Sequence, residues 1–415
     1  MRKRPRFHFT PTQGWMNDPH GIVWDGSRYH MFFQYLPDAL IWKSNIEWGH
    51  AISKDLIHWK QVESLLIPEN EVGCWSGSVV EIDGGYLVFY TRPSKGDWSK
   101  GQVVVAKANR DFSECKRIEP PVIESAPSEE FIDFRDPQVR RVDGGFLMTI
   151  GAGIKDFGGC SLQYTSQDAY KWEFDRVLAS RSANEHNPIA TGTIWECPQF
   201  VDLESKSCLL FSSINPDSYQ QVQYAFGTSN QDGFQPEMWG NLGFSEIPYA
   251  TSTFLDKEGN ACFISWLKES SDVSEYSGAQ SVPLMMKESG NRLRVEIHPN
   301  LNRFFQETAE STIQGNAWLS LSGGSGEMSV RLIAKSNELY ISIEGDKVEI
   351  SVNEDKRMYE ISAGVKEAEI LIDADILEII LPDTPMALSL RIPREDVWEI
   401  ANTEGTLIKR NYWGE

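Results

Sequence analysis

Three acids in this chain each stand one or two residues before a proline. Asp18 lies in GWMNDPHG (14–21), Asp136 in FRDPQV (134–139) and Glu196 in WECPQF (195–200). A single Asp-Pro usually does no more than open a turn. Three acid-proline pairs, each beside an aromatic or an arginine, suggest three visits to one place. Converging carboxyls suit the cleavage of a glycosidic bond. One ionised acid attacks or stabilises the positively charged ring of the transition state, and a protonated one gives its proton to the leaving oxygen. Crowding like charges raises the pKa of at least one member, so one site can hold both forms. Arg135 favours the charged form of Asp136, and Trp195 and Cys197 predict a drier, proton-retaining setting for Glu196.

Residues 118 and 60 positions apart meet only if a repeating scaffold brings them together. Short runs of β-formers (YHMFFQY, YLVFYT, QVVVAKA, CLLFSS) alternate with turn residues, and no run has helical periodicity. This pattern predicts an all-β protein of many antiparallel strands. The segment AISKDLIHW (51–59) has weak echoes in AKANRDF, YTSQDAYKW and FGTSNQDGF, whose aspartates Asp55, Asp111, Asp168 and Asp232 are spaced by 56, 57 and 64 residues. A period near that length, with about four strands per unit, predicts a β-propeller of five blades over residues 1–300. After a linker at 301–311, strict alternation (MSVRLIA, ELYISIEG, KVEISVN, ALSLRI) predicts a β-sandwich over 312–415.

A net charge of −21 excludes nucleic acid and anionic membrane as expected partners, since both need a positive surface. The substrate is expected to be a small neutral molecule. No stretch approaches the roughly 18 apolar residues of a membrane span, and MRKRPRFHFTPTQGW lacks the apolar core of a secretory signal. The six cysteines (74, 115, 160, 197, 208 and 262) show no CxxC spacing, and the histidines are scattered. Neither a disulfide framework nor a metal is expected, and the proposed chemistry needs no cofactor. These features predict a reduced, cytoplasmic protein; oligomeric state stays open.

The motifs resemble those of glycoside hydrolase family 32, the β-fructofuranosidases. WMNDPHG is similar to the family's WMNDPNG, FRDP to its RDP and WECP to its ECP; FFQY, WGHAISKDLIHW, CWSGSVV and ILIDADILEII follow in the family's order. The resemblance spans nearly the whole chain. It implies a five-bladed propeller followed by a sandwich, with Asp18 as nucleophile, Glu196 as general acid/base and Asp136 as transition-state stabiliser. It also implies a retaining reaction through a covalent fructosyl intermediate, with the Asp18 and Glu196 carboxyls about 5–5.5 Å apart. The same motifs place Asn17 and Gln34 on ring hydroxyls, Arg135 beside Asp136 to orient it, Ser76 as a hydroxyl contact, and Trp42 and Trp75 as apolar walls.

Two departures stand out: His20 replaces the family's asparagine, and NLGFSEIPYATSTF (241–254) replaces a segment of the form DFGxDFYA, with Tyr249 and Ala250 aligned and Glu246 as the nearest acid. The expected reaction is hydrolysis of terminal β-D-fructofuranosyl residues from sucrose or small fructo-oligosaccharides. A fructosyltransferase or a difructose-anhydride-type hydrolase on the same scaffold is the alternative. A non-catalytic sugar-binding propeller ranks behind both, because no acid is missing.

Overall fold

The computed structural model describes residues 4–215, 220–243, 247–268, 275–324, 327–361, 364–382 and 384–413. Glu246 lies outside the described residues. Regular structure among those described is β throughout, apart from one 3-10 turn at Pro299–Phe304. No helix among them is long and apolar enough to cross a membrane.

The described residues up to 297 form five antiparallel sheets in chain order, each built around four strands. Their first strands are Gly14–Trp24, Gly77–Ile82, Phe131–Val142, Ile194–Asp202 and Pro248–Leu255. Each first strand touches the next, and the fifth touches the first. Tyr276–Ser277, which follows the second strand of the fifth sheet, pairs in parallel with Gly14 and Trp15 of the first sheet. Burial falls from the inside outward. Tyr29–Leu36, a second strand, is buried at every position, whereas Cys115–Ile123 and Glu173–Ser180, both fourth strands, are mostly half-buried or exposed. Strands covered on both faces read as continuous apolar runs, as in YHMFFQY.

The aspartate repeat is one turn used again and again. Asp55, Asp111 and Asp168 each sit between the third and fourth strands of their sheet. Asp55 accepts the backbone N–H of Ile57 and His58, and Asp168 those of Tyr170 and Lys171. Such side-chain-to-backbone bonds fix a turn locally. The residue after each aspartate has positive φ (Leu56, Phe112, Ala169). Trp59 and Trp172 close two of these turns through indole N–H bonds to Leu56 and Ala169 carbonyls. Asp232 differs: only two residues separate Asn230 from Gly233, so its turn is tighter.

In the third and fourth sheets a glutamine just past a buried bulge stitches the sheet to the next. Gln138 accepts the N–H of Phe200 (2.6 Å), and Gln199 accepts that of Thr253 (3.0 Å). Ser78 takes the N–H of Val139 in the same way (2.8 Å).

The remainder folds as two six-stranded sheets, and Phe305–Glu307 is already an edge strand of the first, paired with Thr406–Tyr412. Leu319, Ile370, Ile372 and Ile379 of one sheet pack with Val330, Ile341, Ile350 and Trp398 of the other. The opposite face of the first sheet packs on the five-sheet unit: Leu371, Ile380 and Trp318 join Phe7, Leu210, Phe226 and Leu301 in one apolar cluster. Period-two alternation sends Ile370 and Ile372 one way, and Leu371 and Asp373 the other. Asp373 and Glu378 therefore face the five-sheet unit, where they hold His8 between them at 2.9 and 2.7 Å.

Candidate active site

The acid-proline pairs mark a recurring irregularity. The first strands of sheets one, three, four and five each break register at Met16–Pro19, Arg135–Gln138, Glu196–Gln199 and Tyr249–Ser252. A bulge adds a residue and re-aims a side chain. Proline, lacking an N–H, fits where the ladder is interrupted. Asp136, Cys197 and Ala250 occupy the same point with positive φ (63°, 47° and 47°). Neighbours tie down the N–H of each: Thr91 Oγ1 accepts that of Asp136 (2.7 Å), Asp136 Oδ2 that of Cys197 (2.9 Å), and Ser212 Oγ that of Ala250 (3.0 Å).

These bulges aim Asp18, Asp136 and Glu196 into one cavity of about 530 Å³, also lined by Asn17, Gln34, Trp42, Trp75 and Arg135. Ser76 stands just behind, joined to Asp18. Both oxygens of Asp18 are held: Asn17 Nδ2 donates to Oδ1 (2.9 Å) and Ser76 Oγ to Oδ2 (2.8 Å). Asn17 Nδ2 also donates to Gln34 Oε1 (2.7 Å), and Gln34 Nε2 to Ser76 Oγ (2.6 Å). The circuit closes on Asp18, and Trp15 Nε1 anchors it through Asn17 Oδ1 (2.8 Å). Asn17, Gln34 and Ser76 thus position the carboxylate before any sugar arrives. Burial raises the pKa of Asp18, the bonds from Ser76 and Asn17 lower it, and the charge of Glu196 raises it again.

Burial likewise pushes Asp136 up to about 7, against the pull of Arg135 and with the push of Glu196 and Asp18. Glu196 is held from both sides. Arg135 Nε donates to Oε1 (3.1 Å) and the Tyr249 hydroxyl to Oε2 (2.6 Å). The thiol of Cys197 lies 3.6 Å from an oxygen of Asp18 and 3.6 Å from one of Asp136. Burial drives its pKa far above the ordinary thiol value, with the surrounding acids adding to the effect. It stays a protonated spacer between two carboxyls.

Two expectations change. Arg135 hydrogen-bonds Glu196 and Asp133 (2.9 Å) rather than Asp136, which it reaches through charge alone. Glu196 does not take a drier setting from Trp195. That indole stacks on Phe211, 4.0 Å between centroids, and bonds the Thr191 carbonyl, because successive strand residues face opposite sides. Asp136, at 6% exposure, is the dry carboxyl, while the Glu196 side chain is 22% exposed.

His20 does not line the cavity. It is 2% exposed and packs 4.0 Å from Trp48, with neither ring nitrogen hydrogen-bonded, and burial lowers its pKa to about 3. It is a neutral packing residue. Asp256, Cys262 and His298 cluster with ligand-type atoms within 4.8 Å. The Asn300 N–H donates to His298 Nδ1 (3.2 Å), which leaves the ring proton on Nε2, facing Asp256 (3.3 Å). The trio is a hydrogen-bonded corner.

Asp133 and Trp98 belong to the site without having been singled out, and Tyr249 and Cys197 were named only as neighbours of the motifs, not as site residues. Cys197 sat inside the ECP-like motif, and Tyr249 in the divergent segment at the point matching Arg135 and Glu196. Trp98 carries no signal beyond a tryptophan at a hairpin.

The all-β scaffold and the three enclosed carboxyls define a glycoside hydrolase. Residues 8–296 match the family model described as the glycosyl hydrolases family 32 N-terminal domain. A sucrose-6-phosphate hydrolase of Escherichia coli is 31% identical over 362 residues, covering 80% of this chain and 73% of that protein. An insoluble β-fructofuranosidase isoenzyme of Arabidopsis thaliana is 29% identical, covering 70% of this chain and 54% of its own. The solved β-fructofuranosidase of Bombyx mori, a mutant in complex with sucrose, superposes with a TM-score of 0.84 at 22% identity, covering 99% of this chain and 94% of its own. This chain belongs to glycosyl hydrolases family 32.

Proposed function

We propose that the protein is a retaining β-fructofuranosidase, removing terminal β-D-fructofuranosyl residues from sucrose or a small fructo-oligosaccharide. Asp18 attacks the anomeric carbon while Glu196 gives its proton to the glycosidic oxygen, and the leaving sugar departs. Glu196 then takes a proton from water, which displaces Asp18 and restores both groups. Asp136 holds the sugar hydroxyls while positive charge develops at the anomeric carbon and the ring oxygen. The observation that carries this reading is the circuit on Asp18. Each carboxylate oxygen is already bonded, so one carboxylate orientation is selected before binding.

Burial raises the pKa of both Asp18 and Asp136, the latter to about 7, so the cavity retains a proton near neutral pH. The cyclic contact of the first strands supports a five-bladed propeller over residues 1–300. The two packed sheets support a sandwich over 312–415 that also takes in the edge strand Phe305–Glu307 from the stretch expected as a linker. The net charge of −21 supports a small neutral substrate, and six unpaired cysteines fit a reducing compartment such as the cytoplasm.

The test is Asp18→Asn with sucrose and with fructosyl fluoride. Loss of at least about 10⁴-fold in kcat on both, with unchanged circular dichroism, is expected. Near-normal turnover of either overturns the nucleophile assignment. Wild-type fructose released first as the β anomer, read by NMR, is the retaining signature.

A further inference from the structure

One feature of the cavity mouth is not used by the reaction above: an exposed aromatic rim. Trp98 is 48% exposed and Trp42 38% exposed, and both line the same cavity as the acids. The two indoles meet edge to face at 5.4 Å, and each also meets the buried Trp75, at 6.3 Å for Trp98 and 6.1 Å for Trp42. Exposed tryptophans held by one another present rigid apolar faces at no further cost in side-chain freedom.

The position of Trp98 fixes which part of the substrate it meets. It follows Asp97 at the start of the strand Asp97–Ala108, just past the turn at Gly96. Its carbonyl accepts from Arg135 Nη1 (3.5 Å), and the same guanidinium donates through Nε to Glu196. One rigid cation therefore ties the Trp98 hairpin to the proton donor. A general acid stands beside the leaving oxygen, so the rim next to it borders the leaving group.

The charges at this mouth select against an anion. Asp18, Asp133, Asp136 and Glu196 line the cavity, and Arg135 is the one cation among its described lining residues. That cation is already bonded to Asp133 and Glu196. Lys268 stands outside the lining, its ammonium 4.3 Å from the Tyr249 ring centroid and bonded to Gln220 (3.0 Å). Lys100, two residues past Trp98, pairs with Asp97 (3.2 Å). A phosphate on the departing sugar would meet acids, and like charges brought together are strongly penalised.

We propose that Trp98, with Trp42 and Trp75, forms the platform for the leaving group, and that the site selects an uncharged sugar ring there over a phosphorylated one. This rests on the fructofuranosidase reading above and adds the class of the departing half. It sets the chain apart from relatives named for sucrose 6-phosphate.

The test compares kcat/KM for sucrose, sucrose 6-phosphate and β-D-fructofuranosyl fluoride in wild type, Trp98→Ala and Trp98→Phe. Fluoride has no ring to stack, so it reports the catalytic acids apart from the platform. Wild type is expected to favour sucrose over sucrose 6-phosphate by at least tenfold. Trp98→Ala is expected to lose about tenfold more on sucrose than on the fluoride, through KM more than kcat, and Trp98→Phe to regain most of it. Preference for sucrose 6-phosphate overturns the charge selection, and a further loss of that preference in Lys268→Ala would assign the phosphate to Lys268. Equal losses on sucrose and the fluoride, or none on either, overturn the platform. A wild type inert on the fluoride itself refutes the fructofuranosidase reading instead.

Discussion

Raising the pH is expected to loosen the join between the two units through His8. This imidazole is fully buried between Asp373 and Glu378, and Asp373 also accepts the backbone N–H groups of Arg6, Phe7 and His8. Burial alone would lower its pKa, but the bonds to Asp373 and Glu378 and their charges outweigh that and raise it to about 9 from 6.5. A pKa raised on folding means that the folded state holds the proton more tightly. The stabilisation is therefore complete below pH 6.5 and is lost as pH rises through 9. The difference of about 2.5 units, at about 1.36 kcal/mol each, makes about 3 kcal/mol. Urea unfolding at pH 6 and at pH 9.5 measures it, with His8→Gln as the reference, since glutamine keeps hydrogen bonding without the charge. The wild type should lose about 3 kcal/mol more than the variant over that range. The variant should also start out weaker at pH 6, with two acids left against a neutral amide. Parallel pH slopes for the two proteins would refute the reasoning, because they would mean His8 is neutral in the folded state.

The remaining predictions concern the acid and its clamp. Glu196→Gln should cost about 10²–10⁴-fold in kcat on sucrose and far less on fructosyl fluoride, whose leaving group needs little protonation. Equal losses on both substrates would count against a general acid. Tyr249→Phe removes a 2.6 Å bond to Glu196 Oε2 while keeping the ring that packs against Trp266. A bond to a charged group contributes about 1.5–3 kcal/mol, so kcat/KM on sucrose should fall about 10- to 150-fold without loss of stability. A change within twofold would show that Arg135 alone holds the acid.

The all-β class and the three acids were legible in the sequence because both repeat. β-formers and turns recur along the five sheets, and the acid-proline pairs recur at the bulges. The aspartate turns were legible for the same reason, since Ser53–Asp55–Trp59 and Ser166–Asp168–Trp172 build the same closure. What failed was reading environment from sequence neighbours. Trp195 adjoins Glu196 in the chain and faces away from it, while Tyr249, 53 residues on, bonds it directly. The roles given to Asn17, Gln34 and Ser76 missed that they bond one another and Asp18, since residues 17, 34 and 76 meet only across two sheets. Trp98 had no pattern to betray it, because a tryptophan at a hairpin is as often packing as platform.

The bulges explain why the signature is an acid followed by proline rather than an acid alone. A regular strand would alternate its side chains and keep every N–H in the ladder. At Asp136 and Cys197 the backbone turns to positive φ, its N–H leaves the ladder, and a neighbouring sheet must accept it. The proline that follows brings no second orphan N–H to satisfy. Asp136 then serves twice, since the oxygen that takes the Cys197 N–H belongs to the carboxyl proposed to face the sugar. Asp136→Ala removes a backbone acceptor from the Glu196 strand as well as a charge, whereas Asp136→Asn keeps an acceptor oxygen. A buried N–H left without a partner costs about 1–3 kcal/mol, so Asp136 is an acid whose loss should move the protein's stability and its chemistry together.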